Sequence, residues 1–146
     1  MLRGNRPARV DEKGRLKIPN GFLQLLESRY GPEVFVTSLS GENVWVYPME
    51  AWLELERKLE AAPNQDPAKR RFLDRVAFFG QTGSIDKQGR LLIPAHLRDS
   101  AEMVGDVAVL GKFNFVEIWN RARFLEKLAR EPFTDEDARA LAEFGI

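Results

Sequence analysis

Apolar and polar positions alternate with a period of two in two short stretches of this chain, and both stretches spell the same phrase. Residues 10–19 read Val10-Asp11-Glu12-Lys13-Gly14-Arg15-Leu16-Lys17-Ile18-Pro19, and residues 85–94 read Ile85-Asp86-Lys87-Gln88-Gly89-Arg90-Leu91-Leu92-Ile93-Pro94, an offset of 75. An apolar residue, a polar segment ending in Gly and then an alternating run predict two strands joined by a tight turn. Gly tolerates the positive φ of the turn, and Pro, lacking an N–H, stops the second strand. Asp11, Gly14, Asp86 and Gly89 are assigned to the turns themselves. The alternation puts Leu16 and Ile18 on one face and Arg15 and Lys17 on the other. Where the first copy has Lys17 the second has Leu92, an apolar residue that calls for cover.

The pattern around the phrases repeats as well. After Pro19, the spacing of Phe22, Leu23, Leu25 and Leu26 predicts a short helix that ends near Tyr30-Gly31-Pro32. Val34–Thr37 and Asn43–Tyr47 are β-branched and aromatic, and Ser40-Gly41 makes the turn between them. Pro48 opens a helix with Trp52, Leu55 and Leu59 on one side. In the second half, Pro94 opens a helix through Leu97 and Ala101, Val107–Leu110 and Phe115–Trp119 match the strand pair, and Asn120 caps a helix through Phe124 and Leu128. Tyr47 and Trp52 are echoed by Trp119 and Phe124, again five residues apart. The tryptophans are read as core or interface residues.

Between the halves, Asp66 is a candidate N-cap with Pro67 at the first helical position, and Phe72, Val76 and Phe79 make an apolar stripe. Thr134-Asp135-Glu136-Asp137 resembles a capping box for a last acidic helix, expected either to dock or to repel nucleic acid. The chain thus divides into unit 1 over 5–52, connecting helices over 53–79, unit 2 over 80–124 and a helical tail over 125–146. A unit of about 45 residues is too small to cover both faces of its own sheet. Pairing of the two hairpins about a pseudo-twofold axis would bury Leu16, Ile18, Leu91 and Ile93 together.

Charge changes the picture locally, not globally. The 146 residues hold 22 basic and 22 acidic side chains, so no net field draws a polyanion. Residues 1–17 nevertheless carry Arg3, Arg6, Arg9, Lys13, Arg15 and Lys17 against Asp11 and Glu12, whereas Gly80–Ser84 carries no charge. The absence of Cys excludes disulfides and thiolate chemistry. The first twenty residues lack the apolar run of a secretory signal, and no stretch approaches a membrane span, so a cytoplasmic protein without a membrane partner is expected.

Catalytic chemistry has little to stand on. The single His96 lies near a helix start without a second ligand and is read as a surface or cap residue. Gly80-Gln81-Thr82-Gly83 lacks a Gly-Lys-Ser/Thr continuation and is read as a turn, not a phosphate loop. Glu54, Glu56 and Glu60 read as a solvated helix face. No catalytic residue, metal site, cofactor or small-molecule substrate is assigned. Nucleic-acid binding has the better physical case, because a two-stranded ribbon fits a major groove and Arg reads guanine bidentately. Arg15 or an N-terminal arginine could specify bases while Lys13 and Lys17 hold the backbone. Asp11 and Arg15, like Asp86 and Arg90, sit across one turn, so each Arg could equally serve as an internal ion-pair partner. Arg90 has no basic company in its own segment, which favours the pairing role there.

Met1-Leu2-Arg3-Gly4, the twin Asp-x-x-Gly-Arg phrases, Tyr47-Pro48 with Trp52, Arg70-Arg71-Phe72, Leu97-Arg98, and Gly111-Lys112-Phe113-Asn114 running to Glu117-Ile118-Trp119 together resemble the MraZ family. The likeness runs in order from residue 1 to about 124. It implies an α+β fold of tandem, duplicated SpoVT-AbrB-like units, of double-ψ or swapped-hairpin β-barrel type with short peripheral helices, assembled into rings such as octamers or dodecamers. It also implies a nucleoid-associated transcriptional regulator. Its partner would be double-stranded DNA, at short direct repeats upstream of the division and cell-wall gene cluster that includes its own gene. The family's DNA-binding segment falls on Asp11 and Arg15 and, by similarity of form, on Asp86 and Arg90. Two departures stand out: Leu2 replaces an aromatic, and Asn20-Gly21-Phe22-Leu23 replaces an Arg-containing stretch. The competing class is a ring-forming interaction scaffold that never touches DNA.

Overall fold

Both copies of the repeated phrase form two strands joined by the predicted tight turn in the computed structural model, which describes residues 1–146, but only in the first copy do the two strands pair with each other. The first half runs β1 (Leu2–Val10), β2 (Arg15–Lys17), α1 (Asn20–Arg29), β3 (Glu33–Thr37), β4 (Val44–Pro48) and α2 (Met49–Ala61). After α3 (Pro67–Phe78) the order recurs as β5 (Gln81–Ser84), β6 (Arg90–Leu92), α4 (Ala95–Ser100), β7 (Gly105–Phe113), β8 (Val116–Asn120) and α5 (Arg121–Arg130), and α6 (Asp135–Ala142) ends the chain. Pro19, Pro48 and Pro94 each stand at an N-cap, as a residue that stops a strand and leads into a helix should. Asp66 accepts from the Ala68 and Lys69 amides, Asn120 from Arg123, and Thr134 with Asp137 completes a capping box.

All eight strands join one antiparallel sheet in the order β5-β3-β4-β8-β7-β1-β2-β6. The halves exchange strands: the first strand of each pairs with the third of the other, β1 with β7 and β5 with β3. Equivalent strands meet across the pseudo-twofold axis, β2 with β6 at Leu16↔Leu91 and β4 with β8 at Val46↔Val116. The outer strands β5 and β6 approach one another, so the sheet curls into a nearly closed barrel. Leu16, Ile18, Leu91 and Ile93 lie at its centre with 0–1% exposure, within a core of 21 buried residues. That is the burial expected from pairing the two hairpins. At roughly 1.5–3 kcal/mol for each buried aliphatic side chain, neither half would retain this stabilisation alone.

A second expectation fails. Gly80-Gln81-Thr82-Gly83 is not a turn: residues Gln81–Ser84 are strand β5, in register with β3 from Val36↔Gln81 to Glu33↔Ser84. The segment lacks apolar side chains because its ladder bonds, not its packing, hold it. Gly80 sits where any Cβ would overlap the Val76 carbonyl and the Phe35 ring, and Gly83 packs close to Leu91. The N-terminal segment forms a nine-residue strand along its whole length, paired with β7 from Leu2↔Phe113 to Val10↔Gly105.

A second aromatic core lies on the outside of the sheet, under α2 and α3. Trp52 stacks on Phe35 with centroids 4.5 Å apart, and Tyr47 lies parallel to Phe115 at 4.3 Å. The tryptophans are therefore packing residues: Trp52 and Trp119 are buried, and Trp45 contacts Tyr47, Phe72 and Phe115. His96 is a surface residue, its Nε2 3.1 Å from the Phe78 carbonyl and its ring stacked on Phe79. In the second half Phe124 and the Lys127 ammonium cover Trp119, and neither α5 nor α6 has a buried residue.

Candidate nucleic-acid interface

The two turns are built alike. Asp11 Oδ1 accepts the amides of Lys13 and Arg15, each at 2.9 Å, and Oδ2 accepts Arg15 Nε at 2.9 Å. Asp86 repeats the arrangement with the Gln88 and Arg90 amides at 2.9 Å and Arg90 Nε at 3.2 Å. This is an Asx turn closed by a charge-assisted bond. Gly14 and Gly89 take φ of +81° and +76°, the left-handed conformation that the turn demands. The amide of Arg15 is the largest cause that holds the Asp11 carboxyl below the usual range, with the Arg15 side chain helping and desolvation opposing. Asp86 is lowered in the same way, chiefly by the Arg90 amide.

Ion pairing and outward contact turn out to be compatible at these arginines. Asp11 occupies Nε of Arg15 and leaves the terminal nitrogens without a protein partner; Arg90 is held identically. Each guanidinium is therefore held at its Nε, in a side chain about one-third exposed. A planar fork pre-oriented in this manner suits bidentate contact with a phosphate or a guanine edge.

Pairing of β2 with β6 then decides which charges share a face. With Leu16 and Leu91 turned inward, Arg15, Lys17, Arg90 and Leu92 all face outward, Arg15 opposite Leu92 and Lys17 opposite Arg90. Arg90 does have basic company, supplied by the other half of the chain, which revises the reading of its own segment. Because the strands run antiparallel, Lys17 leaves the first turn and reaches the second, where its Nζ donates to the Gln88 carbonyl and lies against Gly89. Lys13 stays exposed at the first turn, as does Lys87 at the second. Leu92 remains 56% exposed in the middle of this face.

The N-terminal arginines do not gather at the first turn. Arg9 is nearest and pairs with Asp106 at 2.5 Å. Arg6 lies over the Phe22 ring, 5.9 Å from its centroid, at one end of the barrel. Arg3 stands opposite Lys112, six residues before Arg9 and so roughly 20 Å along the strand at about 3.3 Å per residue. An arginine spacing of three cannot hold one face of a two-residue period.

One cation escaped the reading of the hairpins. Arg98, on α4, lies flat against Gly14, where any added Cβ would overlap its Nη1, Cζ and Cδ. The offset of 75 relates Arg98 to Leu23, which covers Gly89 in the same manner. That relation was visible in the sequence, but which turn each residue covers depends on the strand exchange.

Comparison with known proteins gives the chain a family. A family model described as "MraZ protein, putative antitoxin-like" matches residues 1–75 and 80–144. A protein of Acidobacterium capsulatum named "Transcriptional regulator MraZ" is 47% identical over 146 residues, spanning all of both chains. Proteins of the same name are 40% identical in Koribacter versatilis, over the full length of both chains, and 38% identical in Moorella thermoacetica, over 98% of this chain and 95% of the relative. An α+β fold with a nearly closed antiparallel barrel and six short helices is consistent with the tandem SpoVT-AbrB-like units of that family. With two duplicated turns clamped by Asp11–Arg15 and Asp86–Arg90, and with matches over nearly its whole length, the chain belongs to the MraZ family.

Proposed function

We propose that this chain is a sequence-specific, DNA-binding transcriptional regulator and that the outward face of β2 and β6, with the two turns that flank it, is its reading surface. One observation carries this reading. Arg15 and Arg90 are each locked at Nε by an aspartate that the turn itself orients, and their free ends share a face with Lys17. Lys17 stands directly opposite Arg90, a like-charge pairing that disfavours the isolated sheet and favours a polyanion across it. Arg15 and Arg90 take the base-reading role, while Lys13 and Lys17 hold phosphates. Arg3, Arg6 and Arg9 are outlying cations along β1, and Gly14, Asp86 and Gly89 keep the turns in shape. The resemblance supports a target of short direct repeats upstream of the division and cell-wall gene cluster, in cytoplasmic, nucleoid-associated DNA.

So few cations per chain bind weakly, and useful affinity calls for several copies linked on one ligand. A ring-shaped homo-oligomer of eight or twelve subunits would supply them. Its contacts fit the exposed Phe113, Leu125, Leu128, Phe133 and Phe144 of the second half, which the chain itself leaves uncovered. The same residues favour the second reading, a ring-forming scaffold without DNA.

A duplex from the region upstream of the coding sequence, titrated with protein across a range of salt, separates the two. The regulator binds it over a scrambled duplex with a steep salt slope, and Arg15→Ala loses about 1–3 kcal/mol while the oligomer stays intact. Equal binding to both duplexes at every ionic strength rejects the sequence-specific reading, and binding to neither leaves the scaffold.

A further inference from the structure

Arg98 is an arginine without an acceptor. Its Nε is buried and meets no hydrogen-bond partner. The carboxylate of this turn does not serve it: Asp11 accepts from the Lys13 and Arg15 amides and from Arg15 Nε, with no bond to Arg98. Buried donors in native proteins nearly always find partners, so an exception carrying a full charge requires a reason.

Packing is not that reason. Leu23, its counterpart across the pseudo-twofold axis, fills the same position against Gly89 with an aliphatic side chain, and that turn keeps the same Asx bonds and the same positive φ. The equivalent position in the other repeat is thus filled by leucine with the turn intact. Arginine there adds a third cation beside Lys13 and Arg15, at an electrostatic cost that packing does not require.

Resting on the DNA-binding reading above, we propose that Arg98 is a phosphate-binding residue of the nucleic-acid surface, delivered by the second repeat to the turn of the first. One edge of its guanidinium, Cδ, Cζ and Nη1, lies on Gly14, its Nε is shut in, and its terminal nitrogens, which meet no protein acceptor, stand at the same turn as Lys13 and Arg15. A guanidinium fork takes two oxygens of one backbone phosphate. The contact adds affinity without sequence information. It also accounts for Gly14 twice over, since the turn needs its φ and Arg98 needs its missing side chain.

The full-length protein and its Arg98→Leu, Arg98→Lys and Arg15→Ala variants are titrated against the upstream duplex and a scrambled one at about 50–200 mM salt, the range over which phosphate contacts separate. Arg98→Leu is expected to bind both duplexes more weakly by the same factor, roughly five- to tenfold near 0.1 M salt. It also lowers the slope of log K against log salt by about 0.9 per engaged copy. Arg98→Lys keeps the slope. Unchanged affinity for Arg98→Leu overturns the inference, and so does a loss with the slope unchanged, which would make Arg98 a support for the turn. If Arg98→Leu does not fold, Arg98→Gln, which keeps most of the stem and removes the charge, is held to the same slope. Should Arg15→Ala and Arg98→Leu both be neutral, the DNA reading falls with the inference; should Arg15→Ala alone abolish binding, only the role of Arg98 falls.

Discussion

The two hairpin turns share a backbone and differ in what lies upon them. Asp11 and Asp86 accept matching sets of bonds, and Gly14 and Gly89 have φ within five degrees of each other. Yet Arg98 covers the first turn, and Leu23 with Lys17 covers the second. By sequence the first phrase looks far more basic than the second. In space the contrast shrinks, because strand pairing carries Lys17 to the second turn and Arg98 to the first. In a fold that exchanges strands between repeats, local charge counts misplace the surface they describe.

That comparison can be broken most severely at the axis. Leu16→Ala and Leu91→Ala are each expected to cost about 2–5 kcal/mol of unfolding free energy, since each leaves a cavity at the centre of the barrel. Denaturant titration checks this, and unequal losses would mean that the halves contribute unequally to the core. Next come the turns. Gly14→Ala and Gly89→Ala each force a side chain to positive φ, at about 1–3 kcal/mol and a lower melting temperature. Gly14→Ala also displaces Arg98, and Gly89→Ala crowds the Nζ of Lys17, so each should weaken DNA binding beyond its effect on stability, through a different cation.

The arginines sharpen the comparison further. Arg15→Ala and Arg90→Ala should each weaken binding to the upstream duplex by about 1–3 kcal/mol, as measured by anisotropy. A neutral Arg90→Ala would confine the interface to the first turn. The smallest effect is on pH dependence. Both aspartates have folded-state values below their unfolded ones, so the unfolded chain binds more protons and stability rises with pH. This contribution is complete above the ordinary carboxylate range, about pH 4, and is lost as pH falls through the lowered values. Asp11→Asn and Asp86→Asn should each flatten the melting temperature against pH on the acid side, by equal amounts if the turns are equivalent.

Much of the fold was legible in the residues. The repeated phrase announced two strand–turn–strand units, Pro19 and Pro94 their ends, and Asp66, Asn120 and Thr134 the caps of three helices, though the two strands of the second copy pair elsewhere and not with each other. The central four of Leu16, Ile18, Leu91 and Ile93 followed from strand alternation and the small size of each unit. Strand β5 was hidden because Gln81–Ser84 has no apolar face to display, and its ladder to β3 is made by backbone groups that every residue carries.

What the sequence determined alone is therefore local: where strands begin and stop, which turns need glycine, which aspartate locks which arginine, and that one half must cover the other. Those features depend on dihedral preferences and on partners within a few residues. Tertiary structure alone decided that β1 pairs with β7 and β5 with β3, that Arg90 meets Lys17, and that Arg98 rests on Gly14. These contacts join residues some 45 to 111 positions apart, and they form only when the whole barrel closes over its core.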